Sequence, residues 1–205
     1  MPRRLGRPPL TERDRAATRL EIARAAVRLF TANGVAGTSA EEIAAASGIS
    51  VRTLWRYFPT KERCVLPLLT PGVDRVARVM QHWKAGAGIA DFIDDLERDR
   101  DVVITDVPAL LGLVRLTRTE PALRAVWLHA HDDAEPVFAT ALARRAGASP
   151  DDLTIRVRAG MLNSALRAAV EHHAFHTDPA DPQEAGLSAA VRAALLVAAK
   201  GVVLQ

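Results

Sequence analysis

The stretch TSAEEIAAASGISVRTLWRYF, residues 38–58, decides how the N-terminal part of this chain folds. Thr38, followed three residues later by Glu41, fits a capping box and predicts that a short helix begins there. This helix ends at Gly48, and Ser50 then caps the next helix. Two short helices joined by a tight turn that contains glycine have the layout of a helix-turn-helix unit.

The second of these helices, predicted over residues 51–58 and stopped by the proline that follows, has two contrasting faces. Val51, Leu54 and Phe58 recur at the spacing of one helix face and predict its buried stripe. The side chains left to point outward are Arg52, Thr53, Trp55, Arg56 and Tyr57. This set is unusual for a plain helix surface but suits a helix in a DNA major groove, because arginine reaches guanine edges and threonine contacts a thymine methyl group.

Positive charge is concentrated toward the same end of the chain. Residues 1–70 carry 12 Lys and Arg against 6 Asp and Glu, whereas the remaining residues carry 15 against 18. The first third is therefore at +6 and the rest at −3, within a net charge of +3. A basic end indicates a polyanionic partner, although a solvated basic arm explains the charge alone equally well.

The apolar pattern predicts helices and no strand, so the fold class is all-α. The first helix runs from about Glu12 to Asn33, between the cap Thr11 and Gly34, which ends it. Thr60 caps a fourth helix that Pro67 kinks or breaks. The remaining predicted helices are Val73–Trp83 after Pro71-Gly72, Ala90–Thr105, Pro108–Arg118, Pro121–Ala146 with Pro136 as a candidate kink, a helix from the start signal Ser149-Pro150-Asp151-Asp152 to about Phe175, and Leu187–Lys200.

Several classes of protein are disfavoured by composition. The single cysteine, Cys64, excludes an intramolecular disulfide and a zinc site built from several thiolates, and packing explains it better than redox sensing. His172 and His176 have a metal-compatible spacing, but a solvated helix end is the favoured interpretation.

No apolar run reaches the ~18 residues of a membrane span and the N-terminus lacks an apolar signal core, so we expect a cytoplasmic protein with no membrane partner. With no phosphate loop and no Gly-x-Ser-x-Gly motif, we expect no enzyme, no catalytic residue, no cofactor and no metal.

Residues 18–65 resemble the DNA-binding region of the tetracycline-repressor (TetR) family. The elements that carry the resemblance are Ile22, Ala25-Ala26, Leu29-Phe30, Gly34, Thr38, Ile43-Ala44, Gly48-Ile49-Ser50, Thr53-Leu54-Trp55-Arg56-Tyr57-Phe58 and Lys61-Glu62. Trp55 is a departure, because the family most often has tyrosine there; tryptophan keeps the bulk and an N–H donor. The resemblance implies a helix-turn-helix domain over residues 1–60, with a basic arm, and an antiparallel helical domain over residues 61–205 that binds an effector and dimerises.

The resemblance also implies the function and the DNA contacts. We expect a homodimeric regulator, usually a repressor, which binds a pseudo-palindromic operator in double-stranded DNA and is released by a small molecule. Thr38 and Lys61 are expected to contact phosphates at helix N-termini, and the arm residues Arg3, Arg4 and Arg7 to add affinity. The full set of expected DNA contacts is Thr38, Ser39, Ser50, Arg52, Thr53, Trp55, Arg56, Tyr57 and Lys61.

The effector and the dimer interface are less constrained by the pattern. Bulky or polar residues on the middle helices are the candidate pocket residues: Trp83, Phe92, Arg115, Trp127, His131, Phe138 and Met161. They suggest an apolar or aromatic effector with one polar group. Apolar rows on the last two helices are assigned to the dimer interface, with an intramolecular core as the alternative: Ala159, Leu162, Leu166 and Ala169, then Leu187, Ala190, Ala194 and Val197.

Two other functions remain compatible with the residues. A helical enzyme or small-molecule-binding protein with no DNA function would bind DNA negligibly, with no dependence on salt. A DNA-binding dimer without an effector would lack an internal cavity. The effector, the operator, the regulated genes and the choice between repression and activation are not encoded in any motif of this chain.

Overall fold

The computed structural model describes residues 11–84, 86–99, 106–178 and 184–201. Every regular element in these ranges is a helix, which confirms the all-α class. The basic arm with Arg3, Arg4 and Arg7 and the end of the predicted fifth helix lie outside the described residues. The helices are α1 Glu12–Asn33, α2 Ala40–Ala46, α3 Val51–Tyr57, a 3-10 helix Glu62–Leu68, α4 Thr70–His82, α5 Ile89–Arg98, α6 Val107–Leu116, α7 Pro121–Ala146, α8 Leu153–His176 and α9 Glu184–Lys200.

The first helix has the predicted bounds and the predicted cap. The Thr11 hydroxyl accepts the Asp14 amide at 3.1 Å, and the Asp14 carboxylate accepts the Thr11 amide at 3.0 Å. At the other end Gly34 has φ 73°, a left-handed conformation that glycine adopts without strain, and its N–H donates to the carbonyl of Phe30.

The cap of α2 is one residue later than predicted. Ser39, not Thr38, accepts the Glu42 amide at 3.2 Å, and the Glu42 carboxylate accepts the Ser39 amide at 2.7 Å. The sequence TSAEE offers two overlapping capping boxes, and the buried position of Thr38 decides between them. Thr38 is 1% exposed, and its hydroxyl donates to the carbonyl of Gly34 at 2.8 Å.

The chain between residues 60 and 82 is interrupted, as the prolines predict. Pro67 lies within the 3-10 helix, and α4 begins at Thr70 rather than at Val73. The break therefore falls at Leu69, before Pro71, because a proline in the first turn of a helix has no intrahelical hydrogen bond to lose.

The later helices match the predicted order, with corrected ends. The start of α8 is capped by Asp152, whose carboxylate accepts the amides of Thr154 and Ile155, so Ser149 is not the cap. The helix α5 ends at Arg98, and α6 begins after Asp106, which accepts the Ala109 amide at 3.0 Å. Pro136 lies inside the continuous helix α7. The last helix begins at Glu184, three residues before the prediction.

Two apolar clusters form the core. The first joins α1, α2, α3, the 3-10 helix and α6, and reaches Leu123 and Trp127 of α7. The second joins α4, α5, α7, α8 and α9. Because the first cluster extends to α6 and α7, the three N-terminal helices are packed directly against the C-terminal bundle.

The predicted interface rows on the last two helices are only partly exposed: Val197 is exposed, whereas Ala159 and Ala169 are buried. Ala159 and Ala169 are 0% and 3% exposed within this chain, so they belong to its own core and not to an interface. Leu153 and Val157 of α8 and Val197 of α9 are the exposed apolar side chains of these helices, at 77%, 52% and 68%. Among the helices described, none has both the length and the apolar character that crossing a membrane requires.

Candidate DNA-binding surface and effector cavity

The helix α3 has the two faces that its sequence predicts. Leu54 and Phe58 are buried at 0% and 5% exposure and fix the helix to the first core cluster. Arg52, Trp55 and Arg56 are exposed, and the indole of Trp55 is 46% exposed. An exposed tryptophan between two exposed arginines has no packing role in this chain, which makes the outer face of α3 the candidate binding surface.

The N-terminus of α3 presents two linked hydroxyl groups. The Ser50 hydroxyl accepts the Thr53 amide at 3.2 Å and lies 2.9 Å from the Thr53 hydroxyl. The Ser50 hydroxyl thus provides a hydrogen-bond acceptor for an amide in the first turn of α3. The start of the helix remains open to solvent, since Ser50 is exposed and Thr53 is half-buried.

Arg19 is a residue of this surface that sequence reasoning missed. The ring of Tyr57 lies between two guanidinium groups, with the Arg56 carbon Cζ 5.3 Å and the Arg19 Cζ 5.5 Å from its centroid. Arg19 is exposed on α1, 38 residues from Tyr57 in sequence. Only the fold places it beside α3; in the sequence Arg19 is one of several charged residues along α1, so no local signal distinguishes it.

Two of the predicted phosphate contacts are occupied by the protein itself. The Lys61 ammonium donates to the carbonyls of Val35 and Thr38, both at 2.7 Å, and Thr38 is buried. Lys61 and Thr38 therefore hold the loop between α1 and α2. The expectation that Thr38 contacts a phosphate is corrected, because its hydroxyl does not reach the surface.

Ser39 is also engaged within the chain. Its hydroxyl donates to the Glu42 carboxylate at 2.8 Å. The hydrogen bond from the Ser39 amide, followed by that from its hydroxyl, lowers the pKa of Glu42, so this carboxylate stays ionised at the start of α2. A negative charge at this helix N-terminus opposes a phosphate there.

A cavity of about 180 Å³ lies in the C-terminal part of the fold. Its walls come from the end of the 3-10 helix and from α4, α5, α6, α7, α8 and α9. Trp127, His131 and Phe138, all on α7, are the predicted pocket residues that line it. The cavity is where an effector would fit, and α7 supplies its aromatic wall.

The other predicted pocket residues have structural roles or lie outside the lining. Trp83 packs on Phe92 with ring centroids 5.0 Å apart, and Phe92 is 1% exposed in the second core cluster. Arg115 donates to the carbonyls of Ala174 at 2.7 Å and Thr177 at 3.1 Å, at the end of α8. Met161 is half-buried and does not line the cavity.

A reciprocal pair of hydrogen bonds holds His131 in the cavity wall. His131 Nδ1 lies 2.7 Å from Asn163 Oδ1, and Asn163 Nδ2 donates to the His131 carbonyl at 2.9 Å. The amide must donate to the carbonyl, so its oxygen is left to accept from the imidazole. Nδ1 therefore carries the proton. Sequence reasoning missed Asn163 because 32 residues separate it from His131.

Charged residues from three helices complete the wall, and the sequence did not single them out. Arg192 of α9 donates to both oxygens of Glu97 at 2.9 Å and to Asp94 at 2.6 Å. The hydrogen bond from Arg192 lowers the pKa of Glu97, and this pair stays ionised. Arg75 of α4 donates to the carbonyl of Leu96. These groups neutralise one another at the wall formed by α4, α5 and α9.

The protonation state of His131 predicts a measurable pH dependence. Burial lowers the pKa of His131, so the unfolded chain takes up a proton at a higher pH than the folded chain. As the pH falls below about 6.5, protonation of the unfolded state reduces the free energy of unfolding, until the folded pKa is passed. We expect this loss in the wild-type chain and not in His131→Phe, measured by urea unfolding at about pH 7 and pH 5. Parallel pH profiles would contradict it.

Neither the cysteine nor the histidine pair forms a chemical site in the described residues. Burial raises the pKa of Cys64 to about 12, so the group is a packed thiol and not a reactive thiolate. His172 and His176 stack with ring centroids 4.3 Å apart, and His176 Nδ1 lies 2.8 Å from the carbonyl of His172. Within the ranges described, no three His, Cys, Asp or Glu residues are grouped as a metal site requires.

Comparison with known families matches both parts of the chain. The family described as "Bacterial regulatory proteins, tetR family" matches residues 22–67. The family described as "MftR C-terminal domain" matches residues 96–202, which is more than half of the chain. The first match includes α2 and α3, and the second includes α6, α7 and α8.

Individual proteins give the same result. The HTH-type transcriptional regulator TcmR of Streptomyces glaucescens is 30% identical over 152 residues, which are 71% of this chain and 67% of TcmR. MftR of Mycobacterium tuberculosis is 27% identical over 171 residues, covering 78% and 81% of the two chains. The fatty acid degradation regulator FadR of Bacillus halodurans shares the fold with a TM-score of 0.55 at 18% identity, over 92% of this chain and 97% of that one.

These matches explain the geometry of α3 as well as the helical bundle behind it. An exposed basic and aromatic helix face, held by buried Leu54 and Phe58, is what a DNA-reading helix requires. The chain belongs to the TetR family of bacterial DNA-binding transcriptional regulators.

Proposed function

We propose that this regulator works as a homodimer that binds a pseudo-palindromic operator and releases it when a small molecule occupies the cavity. The observation that carries the proposal is the shared wall between the cavity and the DNA-binding part. Leu68 and Leu69 near the end of the 3-10 helix and Val107 and Leu110 of α6 line the cavity. The same four residues belong to the core cluster that contains α1, α2 and α3.

Two polar contacts link the N-terminal helices to the segment around α6. Arg24 of α1 donates to Asp106 at 2.6 Å, and Asp106 caps α6. Beyond the other end of α6, the carboxylate of Glu120, the residue before α7, accepts the amide of Val35 in the loop after α1 at 3.1 Å. Any displacement of α6 by a ligand in the cavity is therefore passed to α1, which carries the core on which α3 is packed.

The direction of the response follows from differential affinity. A ligand can bind better to a conformation whose α3 helices are displaced from their DNA-binding positions. Such a ligand shifts the protein population toward the conformation that does not bind DNA. In the conformation described here α6 and α4 both line the cavity, so a bound molecule larger than the cavity is expected to move one of them. We therefore favour release over recruitment, which makes the regulator a repressor.

On the DNA side we assign base and phosphate contacts to Arg52, Thr53, Trp55, Arg56 and Tyr57, with Ser50 at the start of the helix. Residues 1–60 form the DNA-binding unit and residues 61–205 the effector-binding and dimerisation unit. The exposed arginines of α3 and the half-exposed Tyr57 ring support the first assignment. Arg19 adds a positive charge at the flank of the same face.

We assign the dimer interface to the exposed apolar side chains of α8 and α9, Leu153, Val157 and Val197. Exposed apolar residues on two packed helices are typical of a surface that a second copy covers. Two copies related by a two-fold axis would place their α3 helices to read half-sites about 34–36 Å apart.

A cavity-filling variant tests the coupling without knowledge of the effector. Ala130 of α7 lines the cavity, and Ala130→Phe should mimic an occupied state. We expect operator affinity to fall about 5- to 150-fold, measured by fluorescence anisotropy on a duplex that the wild-type protein selects from a randomised pool.

Ala125→Phe is the matched control, because Ala125 is exposed on the same helix and should leave affinity unchanged. Unchanged or tighter operator binding by a folded Ala130→Phe protein would contradict the proposal. It would favour a DNA-binding dimer that needs no effector.

A further inference from the structure

We propose that the cavity recognises an uncharged molecule about the size of one aromatic ring through an O–H or N–H group that donates to Nε2 of His131. The inference rests on the proposed function, because it concerns the same cavity. It adds the chemical class of the ligand and the protein atom that accepts its hydrogen bond.

The size of the ligand follows from the cavity. An apolar cavity of about 150 Å³ accommodates benzene, and this cavity has about 180 Å³. Most of the lining side chains are aliphatic or aromatic, with Trp127 and Phe138 among them. A substituted single ring therefore matches the size of the cavity, and its polar group has to meet one of the few polar atoms in the wall.

His131 supplies the polar atom of the cavity wall to which we assign this contact. Its Nδ1–H is donated to Asn163, so Nε2 carries a lone pair and no proton. Among the described residues Nε2 has no hydrogen-bond partner. Nε2 is not fully buried and therefore borders open space, and His131 lines the cavity. An acceptor in an apolar wall favours a donor and rejects a ligand that lacks one.

Glu97, Arg192, Asn163 and Arg75 are polar lining residues that already make hydrogen bonds within the chain. Both oxygens of Glu97 accept from Arg192, and both polar groups of Asn163 are used by His131. Arg75 donates to the Leu96 carbonyl. A carboxylate ligand that paired with Arg192 would have to replace Glu97 as its partner, and a cationic ligand would approach two guanidinium groups. An uncharged ligand needs no such exchange.

Three probes of nearly equal size separate these possibilities. 4-Fluorophenol carries a donor, 4-fluorotoluene replaces its hydroxyl by a methyl group, and 4-fluorobenzoate is an anion. Dissociation constants for the full-length protein would be measured by ¹⁹F NMR titration in the absence of DNA. We expect 4-fluorophenol to bind about tenfold more tightly than 4-fluorotoluene, the value of one hydrogen bond to a neutral acceptor, and 4-fluorobenzoate to bind more weakly than both.

His131→Phe keeps a planar ring and removes the acceptor, so the phenol preference should disappear in this variant. A second measurement needs no variant. In protein labelled with ¹⁵N in its histidine rings, 4-fluorophenol should shift the signal of the unprotonated Nε2 of His131, whereas 4-fluorotoluene should not. Asn163→Leu removes the group that orients the ring, and the Nε2 signal should then show partial protonation.

Equal affinity for phenol and toluene probes in the wild-type protein would overturn the inference, as would tighter binding of the benzoate or no binding of any probe. Operator release is scored separately with the same probes. If 4-fluorophenol binds through His131 and the operator stays bound, the ligand class stands and the proposed regulation fails. If operator release occurs without preference for the phenol, the regulation stands and this inference fails.

Discussion

Replacing Arg52 and Arg56 together by alanine should lower operator affinity about 100-fold or more, because each guanidinium contact with a base is worth about 1–3 kcal/mol. Both side chains are exposed on the outer face of α3, and neither contributes to the core. The protein should therefore keep its stability while it loses sequence discrimination. Fluorescence anisotropy on the selected operator and on a scrambled duplex, at the same salt concentration, measures both effects.

A matched control is available for the change in charge. Arg144 is exposed in the last turn of α7, far along the chain from α3, and Arg144→Ala removes one positive charge without touching the proposed DNA surface. We expect its operator affinity to equal that of the wild-type protein. If the double variant on α3 behaves like Arg144→Ala, α3 is not the reading helix.

Replacing Leu54 by alanine should destabilise the DNA-binding part by about 2–5 kcal/mol, the usual cost of truncating a fully buried leucine. Leu54 is 0% exposed and packs within the cluster that also holds Phe30, Ile43 and Phe58. Because this residue anchors α3 from behind, operator binding should fail together with stability. Urea unfolding followed by circular dichroism gives the free energy of unfolding, and anisotropy gives the affinity.

Leu54→Met serves as the control, since a swap that keeps the volume usually costs less than about 1.5 kcal/mol. It should retain most of the operator affinity. A Leu54→Ala protein that is as stable as Leu54→Met and binds the operator normally would show that α3 does not depend on this anchor.

The parts of the fold that the sequence predicts well are those set by local rules. The bounds of α1 and α7 follow from caps, glycine stops and a proline at the first helical position, all within a few residues of the helix end. The two faces of α3 follow from a spacing of three and four residues. Such signals need no knowledge of the rest of the chain.

The predictions from sequence are wrong where the tertiary structure determines the role of a residue. Overlapping capping boxes at the start of α2 are equivalent in sequence, and the burial of Thr38 selects the later one. Lys61 has the charge expected of a phosphate contact, yet it is bound to two carbonyls more than 20 residues earlier. The start of α8 is similar, because Asp152 and Ser149 both suit a cap and only the structure chooses.

The residues that line the cavity could also be predicted only in part from the sequence. Choosing bulky residues on the middle helices found Trp127, His131 and Phe138, but also Trp83 and Phe92, which pack on each other. The polar lining residues Asn163 and Arg192 are separated in sequence from their partners His131 and Glu97, so no spacing rule connects them. Periodicity predicts which face of a helix is covered, but it does not tell a core contact from a cavity wall.

The two polar contacts Arg24–Asp106 and Val35–Glu120 matter to anyone who builds hybrid sensors by joining the DNA-binding segment of one regulator to the ligand-binding segment of another. A junction after residue 60 separates Arg24 from Asp106 and Val35 from Glu120, which lie on opposite sides of the cut. A donor segment with another residue at position 24 would leave Asp106 without its guanidinium partner. Chimaeras of this protein should therefore transplant these pairs as units, so that the sensor keeps its mechanical connection to the promoter.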